Sequence, residues 1–484
     1  MPRPEWSASP QDEKGVLTER ARIDKAASGP VLVFFSTAVA WLILSTILGL
    51  VISIKHNAPS FLADLAPLTY GRLVPACRLC LTYGWASLAG MGVGIWILSR
   101  LCRVPLRLPG VLIFGAILWN LGLVLGVGAV LSGKMSTLDS LEMPIGPSVV
   151  LFSGYLIIGG WGAVLYRSRI GGAAYVSVWY ILGAFFWFSW YFGVSQFLTS
   201  ICDVQGVMQN VVGAWYHQGV SLLWLGALGL GTAYYLIPKV INRPIYSSNL
   251  ASVGFWTFVA FAGLTGLARL SGGPVPAWIV SVGIAANLLM LVPLATVLTN
   301  LLSTIRSGAG AVYFSPTLRF TTFGVVSFGV SGVIALMSSL RSVDSAVHFT
   351  QFAPGQEHLF LYCFYSMVMF GAIYYIMPRL VGCEWLSSSL IRLHFYGAAY
   401  GGGFFSGLLL LAGVATGLSL RDPEASFLQA VQISQSYYLG QTFAVCMIAV
   451  GHLFFLLHFL LMLLRIGQPG ADPTLFSNPG EEKH

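Results

Sequence analysis

The sequence predicts an all-α integral membrane protein with about twelve transmembrane helices and both termini on the cytoplasmic side. Of its 484 residues, 56% are hydrophobic and only 9% are charged, whereas soluble globular domains carry about 25% charged residues. The apolar residues are also grouped in runs of roughly 20, the length that an α-helix needs to cross a bilayer. The composition therefore excludes a soluble enzyme and indicates a polytopic membrane bundle.

The apolar runs divide the chain into a short tail, a transmembrane domain and a second short tail. No long hydrophilic linker separates the runs, so we expect no separate soluble domain. The predicted divisions are a tail over 1–30, a transmembrane domain over 31–466 and a tail over 467–484. The predicted spans are 31–54, 75–99, 110–132, 147–167, 174–198, 211–237, 251–270, 275–302, 319–340, 357–378, 391–417 and 437–465.

The basic residues indicate the orientation of these spans. Lys and Arg concentrate in alternate loops, as in the run Arg100, Arg103 and Arg107 after the second span. Short loops rich in Lys and Arg favour the cytoplasmic side of a membrane, which places both termini there. The net charge of +8 is thus a signal of topology, and we expect no binding of nucleic acid.

His358 stands out because ionisable groups are rare in the apolar runs. It lies at the head of the stretch 359–377. A charged group at the centre of a membrane costs about 2.5 kcal/mol or more, so such residues are functional-site candidates by default. The last span carries His452 and His458, but a separation of six residues does not place them on one helix face, and we assign them no role.

Several segments resemble subunit I of the haem-copper oxidase superfamily, most closely the cbb-type (C-family) cytochrome c oxidases, whose relatives include the nitric oxide reductases. The resemblance implies a twelve-helix bundle in a bacterial cytoplasmic membrane. It also implies partner subunits of a redox complex, such as a membrane-anchored cytochrome c. The resembling segments are GRLVP (71–75), AWYHQGV (214–220), YYLIPKVINRPIYS (234–247), HFTQFAPGQEHLF (348–360) and LHFYGAAYGGG (393–403).

The resemblance also implies where haem ligands should lie. In the family, a low-spin haem takes one axial histidine from the second helix and one from the tenth. These positions fall on Cys77 and His358, and thiolate is an accepted axial ligand of haem iron. One haem b held by His358 and Cys77 is therefore the predicted cofactor. The alternative is that Cys77 is a small apolar packing residue and that His358 only forms hydrogen bonds.

Different residues occupy the positions expected for the ligands of the family's oxygen-reducing centre. The high-spin haem ligand is replaced by Gln356, and the copper positions fall on Gln218, Ala268 and Arg269. His217 lies one residue out of register with the first copper position. Copper prefers imidazole nitrogen to an amide oxygen, so we expect no copper. The family's redox-active tyrosine corresponds to Ala262. Arg269 is expected either to pair, with a haem propionate or with Glu357, or to extend its guanidinium to the interface.

These residues lead to one main functional hypothesis and two alternatives. The main hypothesis is a divergent subunit I of a respiratory or other redox membrane complex that lacks the oxygen-reducing centre and acts as a scaffold or a single-haem electron carrier. The first alternative is an active terminal oxidase, from cytochrome c to oxygen, or a nitric oxide reductase, with a rearranged metal set. The second is a non-redox membrane carrier that uses the old pocket as a binding cavity. Haem absorbance and copper content distinguish the three.

Overall fold

A computed structural model describes residues 10–467 except 137, 139 and 173, and the side chains of residues 10–17 are not described. The regular elements of this part of the chain are all helices. Residues 1–9 and 468–484 of the two predicted tails lie outside the described residues. Residues 10–30 are helical and continue into the first span, and the domain boundary at residue 30 stays a prediction.

The described residues contain twelve helices that are long and apolar enough to cross a membrane, which confirms the predicted number. An even number of spans places Thr18 and Leu463 on the same side of the bundle, while the position of the two termini on the cytoplasmic side stays a prediction. The helices are α1 (Thr18–Asn57), α2 (Tyr70–Cys102), α3 (Pro109–Leu131), α4 (Ile145–Arg167), α5 (Val176–Ile201), α6 (Val207–Ile241), α7 (Ser248–Leu270), α8 (Ala277–Arg306), α9 (Pro316–Ser339), α10 (Phe352–Val381), α11 (Ser388–Arg421) and α12 (Phe427–Leu463).

Three of the helices, α2, α6 and α10, form the centre of the bundle. In their apolar segments 89%, 89% and 94% of the residues are buried, against 28–44% in the other nine. The central helices contact one another and are surrounded by the rest. The outer helices expose one apolar face to lipid, whereas the central three are apolar all round because they are buried all round.

Each central helix contains a π-helical segment near a predicted ligand position. These segments are Cys80–Ala86 in α2, Gly219–Gly226 in α6 and Leu359–Ser366 in α10. Two of them begin directly after Gln218 and His358, and the third begins three residues after Cys77. Insertion of a π turn re-aims the neighbouring side chains and is frequent at functional sites. The backbone is therefore distorted where the family's cofactor ligands are expected.

Glycines allow close contact between α11 and α12. A Cβ atom on Gly397 would lie 2.8 Å from the Gly451 Cα atom and 2.8 Å from the Met447 carbonyl oxygen. Membrane helices without a hydrophobic driving force between them depend on such close packing of small residues. Gly403, on the same helix, has no heavy atom within 4 Å of its hypothetical Cβ.

We therefore expect Gly397→Ala to destabilise the protein and Gly403→Ala to leave its stability unchanged or slightly raised. The new methyl group at residue 397 meets backbone atoms that cannot rotate away, and such overpacking costs about 1–3 kcal/mol. The measurement is the thermal unfolding midpoint of each purified variant in detergent. Equal midpoints for the two variants would contradict the close approach of α11 to α12 at Gly397.

Candidate functional site

Charged side chains meet at one end of the central helices. This end, which we call the distal end, lies opposite the start of α1 and includes the loops 132–144 and 340–351. The Arg269 guanidinium donates a hydrogen bond of 2.8 Å to the Glu357 carboxylate, and His217 Nε2 lies 3.3 Å from the same oxygen, Oε1. His217 Nδ1 is 2.6 Å from Ser140 Oγ. This distal cluster of Ser140, His217, Arg269 and Glu357 links α6, α7, α10 and the α3–α4 loop.

A second ion pair ties α2 to the same loop. Arg78 contacts the Glu142 carboxylate at 3.0 Å. Because the Glu142 side chain is only 8% exposed and that of Arg78 is 34% exposed, the pair is partly desolvated and fixes the loop against α2. Both residues line the same cavity as the distal cluster.

The local structure explains how Arg269 reaches Glu357. The last turn of α7, Thr265–Leu270, tightens into a 3-10 helix, and Gly266 and Gly283 lie where α6 and α8 approach this turn closely. A Cβ atom on Gly283 would be 2.2 Å from the Ala268 backbone nitrogen. A cation in the last turn of a helix is also favoured by the helix dipole. Arg269 therefore pairs with Glu357, one of the two outcomes that the sequence left open.

The cluster borders two cavities that share several lining residues. The inner cavity has a volume of about 150 Å³, and the distal vestibule of about 320 Å³ opens toward His348 and Asp344. His348 Nδ1 is itself 2.9 Å from the Asp344 carboxylate. The side chains of Arg269 and Glu357 are 34% and 33% exposed, so the cavities give them access to solvent even though they lie among buried helices.

The expected positions of the oxygen-reducing centre lie around these cavities. Gln218, Arg269 and Gln356 line both of them, and Ala268 lines the vestibule. Ala262 is fully buried in α7. Arginine has no lone pair with which to bind a metal ion, and its positive charge repels one. Within the described residues, no group of three or more His, Cys, Asp and Glu side chains is placed to hold a metal ion. The residues present do not fit a copper site or the ligand of a high-spin haem.

His358 faces a different neighbour from Glu357. Its Nδ1 atom is 2.9 Å from Ser406 Oγ on α11, and its ring stacks on Tyr362 with a centroid separation of 5.0 Å. A histidine that binds haem iron through Nε2 has its Nδ1 atom held in this way, which fixes the ring orientation. The side chain is partly accessible. The geometry at His358 fits an axial haem ligand.

Cys77 is held more weakly, on the side of α1. Its thiol donates to the Ser45 carbonyl oxygen over 3.4 Å, and the side chain is partly accessible. Neither Cys77 nor His358 lines the inner cavity. The two predicted haem ligands therefore lie outside the distal cluster. The structure shows no hydrogen bond between Cys77 and His358.

His452, to which we assigned no role from the sequence, joins three helices beside the predicted haem ligands. Its Nδ1 atom is 2.7 Å from Thr46 Oγ1 on α1, and its Nε2 atom is 2.8 Å from the Tyr362 hydroxyl on α10. Thr46 follows Ser45, which contacts Cys77, and Tyr362 stacks on His358. The bridge thus connects the immediate neighbours of both predicted ligands. The feature of the sequence that pointed to this bridge was an ionisable residue, His452, within an apolar span.

The fold and sequence agree with one family of membrane proteins. The family model of cytochrome C and quinol oxidase polypeptide I matches residues 29–447. The Cbb3-type cytochrome c oxidase subunit CcoN1 of Stutzerimonas stutzeri is 26% identical over 409 residues, which cover 80% of this chain and 83% of that protein. A cytochrome c oxidase subunit 1 homolog of Agrobacterium tumefaciens is 24% identical over 451 residues, covering 88% and 81% of the two chains.

A solved structure shows the same fold. A cryo-EM structure of a heme-copper terminal oxidase dimer matches with a TM-score of 0.72 and 15% sequence identity, covering 95% of this chain and 86% of that one. Identity at this level reports on the fold alone. Together with the family match over most of the chain, the likeness establishes that the protein belongs to the family of cytochrome c and quinol oxidase subunit I, and that it is a cbb3-like, multi-pass membrane member of the haem-copper oxidase superfamily.

Proposed function

We propose that this chain is a divergent subunit I of a respiratory or other redox complex in a bacterial cytoplasmic membrane, and that it has lost the oxygen-reducing centre. The observation that carries this proposal is the ion pair of Arg269 and Glu357, with His217 beside it. Arg269 occupies an expected copper position, and its guanidinium is already engaged with a carboxylate. Arginine has no lone pair for a metal ion and its charge repels one, so this ion pair and a copper ion at the same position would exclude each other.

The hydrogen bonds around His358 support retention of one haem b. Such a haem would be held by His358 and Cys77, and it would supply one-electron transfer when bound. Ser406 contacts Nδ1 of His358 at 2.9 Å, which leaves Nε2 as the nitrogen that would bind the haem iron. The Thr46–His452–Tyr362 bridge connects the neighbours of His358 and Cys77. We therefore favour a single-haem electron carrier over a scaffold without cofactor.

The proposal implies a partner that exchanges electrons with this chain. Transfer through a single haem needs a donor and an acceptor on other subunits, because one haem takes up and passes on one electron at a time. A membrane-anchored cytochrome c is the proposed donor. The relatives named above are themselves oxidase subunits, and we extend assembly with other subunits to this chain on that basis.

The cofactor content of the purified complex tests the main proposal. We expect about one low-spin haem b per chain, because one axial pair is present, together with no copper above background and no cyanide-sensitive oxygen consumption. Optical spectroscopy, elemental analysis and an oxygen electrode give the three values. Two b-type haems with stoichiometric copper would refute the proposal and select an active oxidase, whereas no haem would leave a scaffold or a carrier.

Substitution of the two predicted ligands tests the haem assignment. His358→Ala and Cys77→Ala are each expected to lower the haem-to-protein ratio by about tenfold or more, because an axial ligand is removed. The measurement is the reduced-minus-oxidised spectrum of each purified variant. The matched controls are Cys80→Ala, one helical turn from Cys77, and His348→Ala in the distal loop. Full haem content in both ligand variants would refute the assignment.

A further inference from the structure

The residues at three expected metal-ligand positions share one chemical property. Gln218, Arg269 and Gln356 are all hydrogen-bond donors, and they line the same two cavities. Arg269 uses one of its nitrogens, Nη2, for Glu357. The Gln356 carbonyl accepts a long bond of 3.4 Å from Ser338. Among the described residues, the carboxamide N–H groups of Gln218 and Gln356 have no hydrogen-bond partner, so they are available to a ligand.

We propose that the inner cavity binds a short-chain monocarboxylate. This inference rests on the proposed function, because a haem-copper centre would occupy the same space. The carboxylate is held by the Arg269 guanidinium, whose planar fork matches a planar oxyanion, and by the carboxamides of Gln218 and Gln356. The hydrocarbon tail lies against the apolar floor of the cavity, which includes Leu222, Leu225 and Leu361.

Carboxylates already present at the site favour a monovalent anion. Arg269 pairs with Glu357, and Glu142 lines the inner cavity as well. The donor groups can stabilise one added negative charge, whereas a second carboxylate of the ligand would approach the Glu357 and Glu142 carboxylates. We therefore expect repulsion between like charges to prevent the binding of a dicarboxylate.

The dimensions of the cavity limit the length of the tail. A cavity of about 150 Å³ is comparable to an apolar cavity that admits benzene, so about six non-hydrogen atoms can be accommodated. Propionate and butyrate are of this size. The vestibule leads from the distal surface to Arg269 and Glu357, which gives such an anion a route from the distal side of the bundle.

Calorimetric titration of the purified complex in detergent tests the proposal. Acetate, propionate and butyrate are titrated as sodium salts, with sodium chloride as the ionic control. We expect affinity to rise about fourfold for each added methylene, the usual effect of burying that group, and we expect succinate not to bind. Sodium nitrate provides a planar oxyanion without a tail and should bind more weakly than propionate.

Substitutions of the lining residues test whether the carboxylate binds in the inner cavity. Gln218→Leu and Gln356→Leu keep the side-chain size, remove the donors and should each weaken propionate binding about tenfold, the usual effect of losing a hydrogen bond to a charged group. Arg269→Lys keeps the charge, loses the planar fork and should weaken binding as well. Gln435→Leu, on the exposed distal end of a helix, is the matched control and should bind like the unchanged protein.

Three results would overturn the proposal: no carboxylate binding by the unchanged protein, equal affinity for nitrate and propionate, or undiminished binding in both glutamine variants. Size-exclusion profiles and unfolding midpoints show whether each variant is folded. Copper and haem are measured on the same sample. Stoichiometric copper with two haems would refute the proposed function, whereas failed carboxylate binding in a copper-free, one-haem sample would refute only the present inference.

Discussion

The distal half of the bundle depends on the carboxylate of Glu357, which Arg269 and His217 share. An ionised side chain at this depth persists only with a partner of opposite charge or a hydrogen-bond donor, and here the partners come from α6 and α7. The arginine at an expected copper position and the glutamate beside it are therefore interdependent. Without Glu357, Arg269 would be a half-buried cation that lacks this partner, so the cluster forms one unit and not a set of independent residues.

Packing between the helices holds the fold together. The three central helices are held by apolar packing over their whole circumference, and the outer helices approach one another through glycines such as Gly397. The π-helical segments of α2, α6 and α10 lie beside the positions where the resemblance implies cofactor ligands. Function resides in sites placed on a fold, so ligand positions can be lost while the backbone that presented them persists.

The number and type of helices could be predicted from the sequence because hydropathy and span length report directly on the membrane. The central position of α2, α6 and α10 could not be predicted in this way, because their mean hydropathy of 1.3–1.7 falls within the range of 1.3–2.3 found for the outer spans. The pairing of Arg269 with Glu357, 88 residues apart, needed the three-dimensional structure to decide between two outcomes. His452 was missed because its partners, Thr46 and Tyr362, lie on other helices, and spacing along α12 carries no information about them.

Adjacent residues on α10 face two separate environments. Successive residues of a helix point about 100° apart, so Glu357 faces α6 and α7 while His358 faces Ser406 on α11. Substitutions at the positions expected for the oxygen-reducing centre therefore act on one side of α10, and the surroundings of His358 lie on the other. The Arg269–Glu357 pair and the His358 imidazole are thus separate sites, because one helical step turns the two α10 residues toward different helices.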